Sequence, residues 1–130
     1  MRIGELARSA QTRVDTIRYY ERVGLLPKAA RTASNYRDYS VMHFERLAFI
    51  RRCRGLGMSL DEIRELLKFC DEPQRKCGAV NELLDRHIAE VESRILRLQE
   101  LVRELRRLST VCRTPARAKD CQVLKALRAS

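Results

Sequence analysis

Residues 12–27 read Thr12-Arg13-Val14-Asp15-Thr16-Ile17-Arg18-Tyr19-Tyr20-Glu21-Arg22-Val23-Gly24-Leu25-Leu26-Pro27, and this stretch decides the fold. Thr12 or Arg13 opens a helix that runs to about Arg22; Gly24 stops it and Pro27 keeps it stopped. Just upstream, Ile3–Ser9 sets Ile3, Leu6 and Ala7 on one helical face. Two short helices joined by a tight turn suit a helix-turn-helix. Downstream, Ala29–Tyr39 carries no helical apolar stripe. Its Ser34-Asn35-Tyr36-Arg37 core joins turn chemistry to strand formers, which predicts a hairpin lying beside the second helix as a wing.

The rest of the chain reads as helices. Ser40 caps one with Phe44, Leu47, Ala48 and Ile50 inside, ended by Gly55 and Gly57. Ser59, with Glu62 three residues on, forms a capping box for a helix carrying Leu60, Ile63, Leu66 and Leu67; Pro73 marks the break after it. Between Gly78 and Val111 there is neither Gly nor Pro. Apolar residues fall at Leu84, Ile88, Val91, Ile95, Leu98, Val102 and Leu105, in alternating steps of four and three, a heptad seam that continues through Ser109 to Cys112. A helix this long cannot bury its seam against a small head, so a homodimer is expected; folding back on its own head is the alternative. The chain then runs through a loop, Arg113–Asp120, to a short amphipathic turn at Val123, Leu124 and Leu127.

Composition narrows the function. Lys and Arg number 27 against 17 Asp and Glu, a net charge of +10. Residues 1–55 hold 12 Lys/Arg against 5 Asp/Glu, and residues 56–130 hold 15 against 12, so the basic excess sits on the head. No apolar run approaches the ~20 residues of a membrane span, and Met1-Arg2-Ile3-Gly4-Glu5 has no apolar signal core, so a cytoplasmic protein is expected. In a reducing compartment the five cysteines read as thiols or metal ligands rather than a disulfide framework. There is no Ser/His/Asp constellation, Gly-rich phosphate loop or paired-carboxylate signal, so an enzyme is not expected.

The expected DNA-binding residues are Arg13, Thr16, Arg18, Tyr19 and Tyr20 on the second helix, with Arg31, Asn35, Tyr36 and Arg37 on the wing. Arg reaches guanine edges bidentately, Thr contacts the thymine methyl, and Tyr hydroxyls position phosphates. Tyr19 and Tyr20 point about 100° apart on a helix, so only one is expected to be fully exposed. Arg51, Arg52 and Arg54 offer further phosphate contacts.

Ile3-Gly4-Glu5-Leu6-Ala7, Thr16-Ile17-Arg18-Tyr19-Tyr20-Glu21, Gly24-Leu25-Leu26-Pro27 and Asn35-Tyr36-Arg37-Asp38-Tyr39 resemble the winged helix-turn-helix head of the MerR family of bacterial transcription regulators. Phe49-Ile50-Arg51-Arg52-Cys53-Arg54 and Met58-Ser59-Leu60-Asp61-Glu62-Ile63 extend the resemblance, which covers essentially the whole chain. It implies a homodimer joined by an antiparallel coiled coil, bound to a promoter whose two polymerase-recognition elements are too widely spaced. Effector binding then bends and untwists the DNA so that RNA polymerase aligns with both, a switch built on indirect readout.

Cys77 precedes the long helix, Cys112 follows its last heptad, and Cys121 lies beyond the loop. If 77–112 is helical throughout, Cys77 and Cys112 lie roughly 50 Å apart at ~1.5 Å per residue and cannot share an ion within one chain. A shared three-thiolate site therefore requires antiparallel pairing, with Cys77 of one subunit beside Cys112 and Cys121 of the other, and gives two sites per dimer. Three thiolates without a nearby His favour soft ions over Mg²⁺ or Ca²⁺. Cys77 sits near a helix N-terminus, which favours its thiolate form, and Arg75, Lys76 and Arg113 add positive charge. His43 and His87 read as structural or surface residues. Cys53 reads as a packing residue, while Cys70 is open between bystander and outer ligand.

Within the family, Cys77-Gly78-Ala79-Val80-Asn81 with Leu84-Asp85, His87-Ile88 and Val91-Glu92 resembles the cadmium- and lead-responsive (CadR/PbrR) branch, whose loop thiols Cys112 and Cys121 match. That implies Pb(II) or Cd(II) as effector. Zinc-responsive relatives carry an extra Cys and a His where this chain has Cys112-Arg113-Thr114-Pro115; the mercury-responsive branch also uses three thiolates. Some lead regulators carry a head Cys where this chain has Gln11 and Val14.

The expected protein is thus mainly α: a winged helix-turn-helix head with connecting helices (1–75), a long antiparallel coiled-coil dimerisation helix (76–111), and a metal-binding loop with a short helix (112–130). Its partners are itself, promoter DNA and RNA polymerase, with no membrane. Zn(II) or Hg(II) in place of Pb(II) or Cd(II), a thiol redox sensor, and a structural DNA-bending protein are the alternatives.

Overall fold

The computed structural model describes residues 1–111 and 117–129. The elements run α1 (Ile3–Ser9), α2 (Val14–Arg22), β1 (Ala30–Arg31), β2 (Arg37–Asp38), α3 (Val41–Gly55), α4 (Leu60–Asp71) and α5 (Gly78–Val111). A 3-10 turn over Ala118–Asp120 and α6 (Gln122–Ala129) follow. The chain divides into two compact units, Met1–Asn81 and Glu82–Ser130.

Three head helices end in the same way. After α1, α2 and α3, one residue adopts the left-handed conformation: Gln11 (φ 51°), Gly24 (φ 80°) and Gly57 (φ 79°). The following amide then bonds back across the last turn, from Thr12 to the Ala7 carbonyl, Leu25 to Tyr20 and Met58 to Cys53. These are Schellman caps, which satisfy carbonyls that the helix leaves unpaired. Each changes the chain's direction sharply, and Leu25 and Met58 drop into the core directly afterwards. Gly24 and Gly57 do this without a Cβ penalty. Gln11 does not, and a bond from Arg51 on α3 to its side chain helps hold it.

The head packs around Leu6, Ala10, Ile17, Leu26, Ala29, Tyr39 and Leu47. α2 begins at Val14 with Arg13 as its N-cap, so Arg13 rather than Thr12 is the opening residue. The wing strands pair antiparallel, Ala30 with Asp38 and Arg31 with Arg37. Its tip closes through Thr32 and Asn35, the latter left-handed (φ 64°), a conformation that Asn tolerates better than most residues. Ser40 starts α3 as expected: its amide donates to His43 Nδ1 at 3.1 Å. His43 Nε2 then donates to the Pro27 carbonyl at 3.0 Å, tying α3 to the chain leaving α2. Buried His43 is therefore structural. The Ser59–Glu62 capping box of α4 forms in both directions.

α5 spans the whole Gly/Pro-free stretch, Gly78–Val111, about 51 Å at 1.5 Å per residue. Its seam is bare along most of its length: Leu84, Ile88, Ile95, Leu98, Val102 and Leu105 are all exposed, Leu98 at 60% and Leu105 at 63%. The C-terminal region has more structure than a loop and a turn. Ala118–Asp120 winds into a 3-10 turn, and residues 122–129 form an eight-residue helix.

Candidate DNA-binding surface and thiol positions

α2 divides cleanly into two faces. Ile17 is fully buried and Glu21 nearly so, which turns Arg13, Arg18, Tyr19 and Arg22 outward. Thr16 and Tyr20 lie on the flank, half-buried, and Tyr20 packs against the core. Of the two adjacent tyrosines, Tyr19 is thus the exposed one. Its ring is 6.1 Å from that of Tyr20, and the Arg22 guanidinium lies 5.6 Å from its centroid.

Glu21 is the residue that the sequence did not single out. Its carboxylate accepts from the Tyr39 hydroxyl at 2.7 Å and from Arg37 Nη1 at 3.2 Å. One buried anion therefore fastens the second wing strand to α2. Burial, reinforced by the neighbouring Glu21 carboxylate, pushes the Tyr39 hydroxyl up to about 12. Arg18, Arg22, Lys28 and Arg37 surround a cavity of about 420 Å³ floored by Ile3, Glu21 and Tyr39. Four cations face one carboxylate there, so the trough is electropositive and suited to phosphate.

Of the wing residues, Arg31, Asn35 and Tyr36 are exposed and Arg37 is half-buried. Arg31 Nη1 reaches the Asn35 carbonyl and Oδ1 at 3.4 and 3.3 Å, bracing the tip. The Arg2 guanidinium lies 4.1 Å from the Tyr36 ring centroid, a cation–π contact. On the other flank of α2, Arg13, Thr16, Arg51 and Arg54 line a second cavity of about 290 Å³. Arg54 also donates to the Met58 carbonyl at 2.8 Å, so it fixes the α3 turn.

The thiols fall at helix ends. Cys77 is exposed and sits directly before α5, its carbonyl accepting from the Val80 and Asn81 amides. Cys121 is half-buried directly before α6, its carbonyl accepting from Lys125. Cys112 lies outside the described residues. Cys53 is buried, and desolvation pushes its thiol up, with Cys70 adding to the effect. Cys70 is exposed in the last turn of α4. Cys77 and Cys121 each place a thiol at a helix start, and thiolates are ligands that soft ions prefer.

A family model described as MerR HTH family regulatory protein matches residues 1–70, and one described as MerR, DNA binding matches residues 44–108. The chain belongs to the MerR family. It is a DNA-binding regulator and not an enzyme. Similar MerR-family proteins include the HTH-type transcriptional regulator ZntR of Escherichia coli strain K12, 41% identical over 128 residues, covering 97% of this chain and 91% of that one. The HTH-type transcriptional regulator HmrR of Sinorhizobium medicae strain WSM419 is 38% identical over 125 residues, covering 96% and 84%. Among solved structures, the regulator PbrR691 from Ralstonia metallidurans CH34 in complex with lead(II) superposes with a TM-score of 0.88 at 47% identity, covering 98% of both chains. Among the described residues, no helix is long and apolar enough to cross a membrane.

Proposed function

We propose that this MerR-family chain is a metal-responsive transcriptional regulator of the cadmium- and lead-responsive branch. In this reading Pb(II) or Cd(II) is held by Cys77 of one subunit and by Cys112 and Cys121 of the other. MerR regulators act as homodimers on promoter DNA. The observation that carries the reading is the bare seam of α5 together with the thiols' place on its repeat. Cys77 precedes Leu84 by one heptad, and Cys112 follows Leu105 by one heptad. An antiparallel partner covering the seam brings the two thiols together at each end. The lead(II)-bound relative at 47% identity supports the choice of ion.

On the head, Arg18 and Thr16 read bases, Arg13, Tyr19 and Tyr20 support them, and Arg31, Asn35, Tyr36 and Arg37 hold the backbone along the wing. The ion binds the activating arrangement more tightly, and so shifts the population toward a dimer that distorts the promoter for RNA polymerase. The protein works in the cytoplasm.

Zn(II) is the rival effector. Against it stands Cys112-Arg113-Thr114-Pro115, which lacks the extra Cys and His expected of a zinc site. Titration of the reduced dimer by absorbance, each ion competed against the others, decides between them. Thiolate-to-metal bands with Pb(II) or Cd(II) that Zn(II) cannot displace are expected. Displacement by equimolar Zn(II) overturns the choice of ion. A band-free protein whose thiols are consumed only by oxidant overturns the metal reading in favour of a redox sensor.

A further inference from the structure

Arg46, on α3, uses its whole guanidinium. Nε donates to the Leu25 carbonyl at 2.8 Å, in the buried turn that ends α2. Nη1 and Nη2 donate to Asp71 Oδ1 and Oδ2 at 2.7 and 3.2 Å. The Arg46 side chain is 16% exposed, so this fork works in a partly desolvated setting. Asp71 is the last residue of α4. The chain beyond it is knitted back onto that helix: the Arg75 amide donates to the Glu72 carbonyl, Arg75 Nη1 pairs with Glu72, and its guanidinium lies 4.4 Å from the Phe69 ring centroid. Cys77 follows two residues later. A single planar group thus bridges the end of α2 to the α4 terminus that leads into Cys77.

We propose that Arg46 is a coupling residue, a rigid strut that passes displacement of the α4 terminus to the C-terminal end of α2. This inference rests on the reading of Cys77 as an ion ligand. The planar guanidinium is suited to the task, because three fixed donors define a direction that a flexible ammonium cannot. Arg64 Nη1, donating to the Val23 carbonyl at 2.6 Å, anchors the same turn from the middle of α4, so α2 senses both points on that helix.

Asp71→Ala in the full-length dimer is the first test. Asp71 is 57% exposed, and the variant leaves the bond from Arg46 to Leu25 intact. Arg46→Lys is the second, keeping charge but not the fork. Three quantities are read: operator affinity without metal by gel shift at fixed salt, Pb(II) affinity by absorbance, and the Pb(II)-induced fluorescence change of 2-aminopurine at the operator centre. For both variants the two affinities stay within about twofold of wild type. The fluorescence change falls at least about fivefold, the lower range of ordinary allosteric coupling. An undiminished fluorescence change in both variants overturns the proposal, as does loss of operator affinity in step with the signal. Absence of Pb(II) binding in the wild type fails the metal reading instead.

Discussion

Glu21→Ala removes one acceptor from two donors at once. Glu21 is 8% exposed and Tyr39 3% exposed, so the Tyr39 hydroxyl is left in a dry setting with its partner gone. An unsatisfied buried hydroxyl costs about 1–3 kcal/mol. Arg37 loses a charge-assisted bond of about 1.5–3 kcal/mol, but its side chain is 34% exposed, so water recovers part of that. The expected loss is about 3–4 kcal/mol, in line with breaking a buried pair from one side. Tyr39→Phe leaves Glu21 paired with Arg37 but removes a bond to a buried carboxylate, and should cost about 1.5–3 kcal/mol. The double variant should then cost less than the two singles together by about 1 kcal/mol or more, because the single Glu21 variant includes the penalty of the stranded hydroxyl. Urea unfolding at fixed protein concentration is the assay, since the stability of a dimer depends on concentration. A Glu21→Ala loss below about 1 kcal/mol, or strict additivity with Tyr39→Phe, would refute the buried anchor.

Three further outcomes follow from the same geometry. Tyr39 titrates about 12 in the folded protein against an ordinary 10; the unfolded chain loses its proton first, so stability is full below pH 10 and falls by up to about 3 kcal/mol as pH rises through 12. Unfolding measured at pH 9 and 11.5 should show this loss in the wild type and lack it in Tyr39→Phe. Gly24→Ala meets only Arg64 Nη1 at 3.6 Å, so its cost is the left-handed φ of 80°, about 1–2 kcal/mol. Gly55→Ala has open space in a helix and should stabilise by up to about 1 kcal/mol; equal effects of the two in urea would contradict the assigned backbone. Leu98→Asp places a charge on the bare seam and should weaken dimerisation at least about tenfold, some 1.4 kcal/mol, by sedimentation. An unchanged dimer would mean that the seam is not the interface.

Much of the fold was legible because it rests on local chemistry. Gly24, Gly57 and the Ser59–Glu62 box mark helix ends through backbone freedom and capping, which depend on neighbours in sequence. The span of α5 followed from the missing Gly and Pro, and its dimer-seeking seam from the heptad. Gln11 was not legible, because nothing about a glutamine announces a left-handed turn. Glu21, Arg46 and Arg64 were passed over for a different reason. Each looks like a surface charge on an amphipathic helix, and its partner lies 16 or more residues away. Only the packing shows that Glu21 fastens the wing and that two arginines hold the carbonyls closing α2. Cys77 was legible as a helix start, whereas Cys121 read as lying beyond a loop and before a short turn; Cys112 falls outside the described residues and its role rests on its heptad spacing.

In the proposed site each ion is shared between subunits. Mixing Cys77→Ser chains with chains carrying both Cys112→Ser and Cys121→Ser tests it directly. In a mixed dimer the crossed arrangement leaves one end with all three thiols and the other with none. Neither parent dimer should retain the three-thiolate band, and the re-equilibrated mixture should regain it, with one Pb(II) per mixed dimer. A mixture as silent as its parents would contradict a ligand set drawn from both chains.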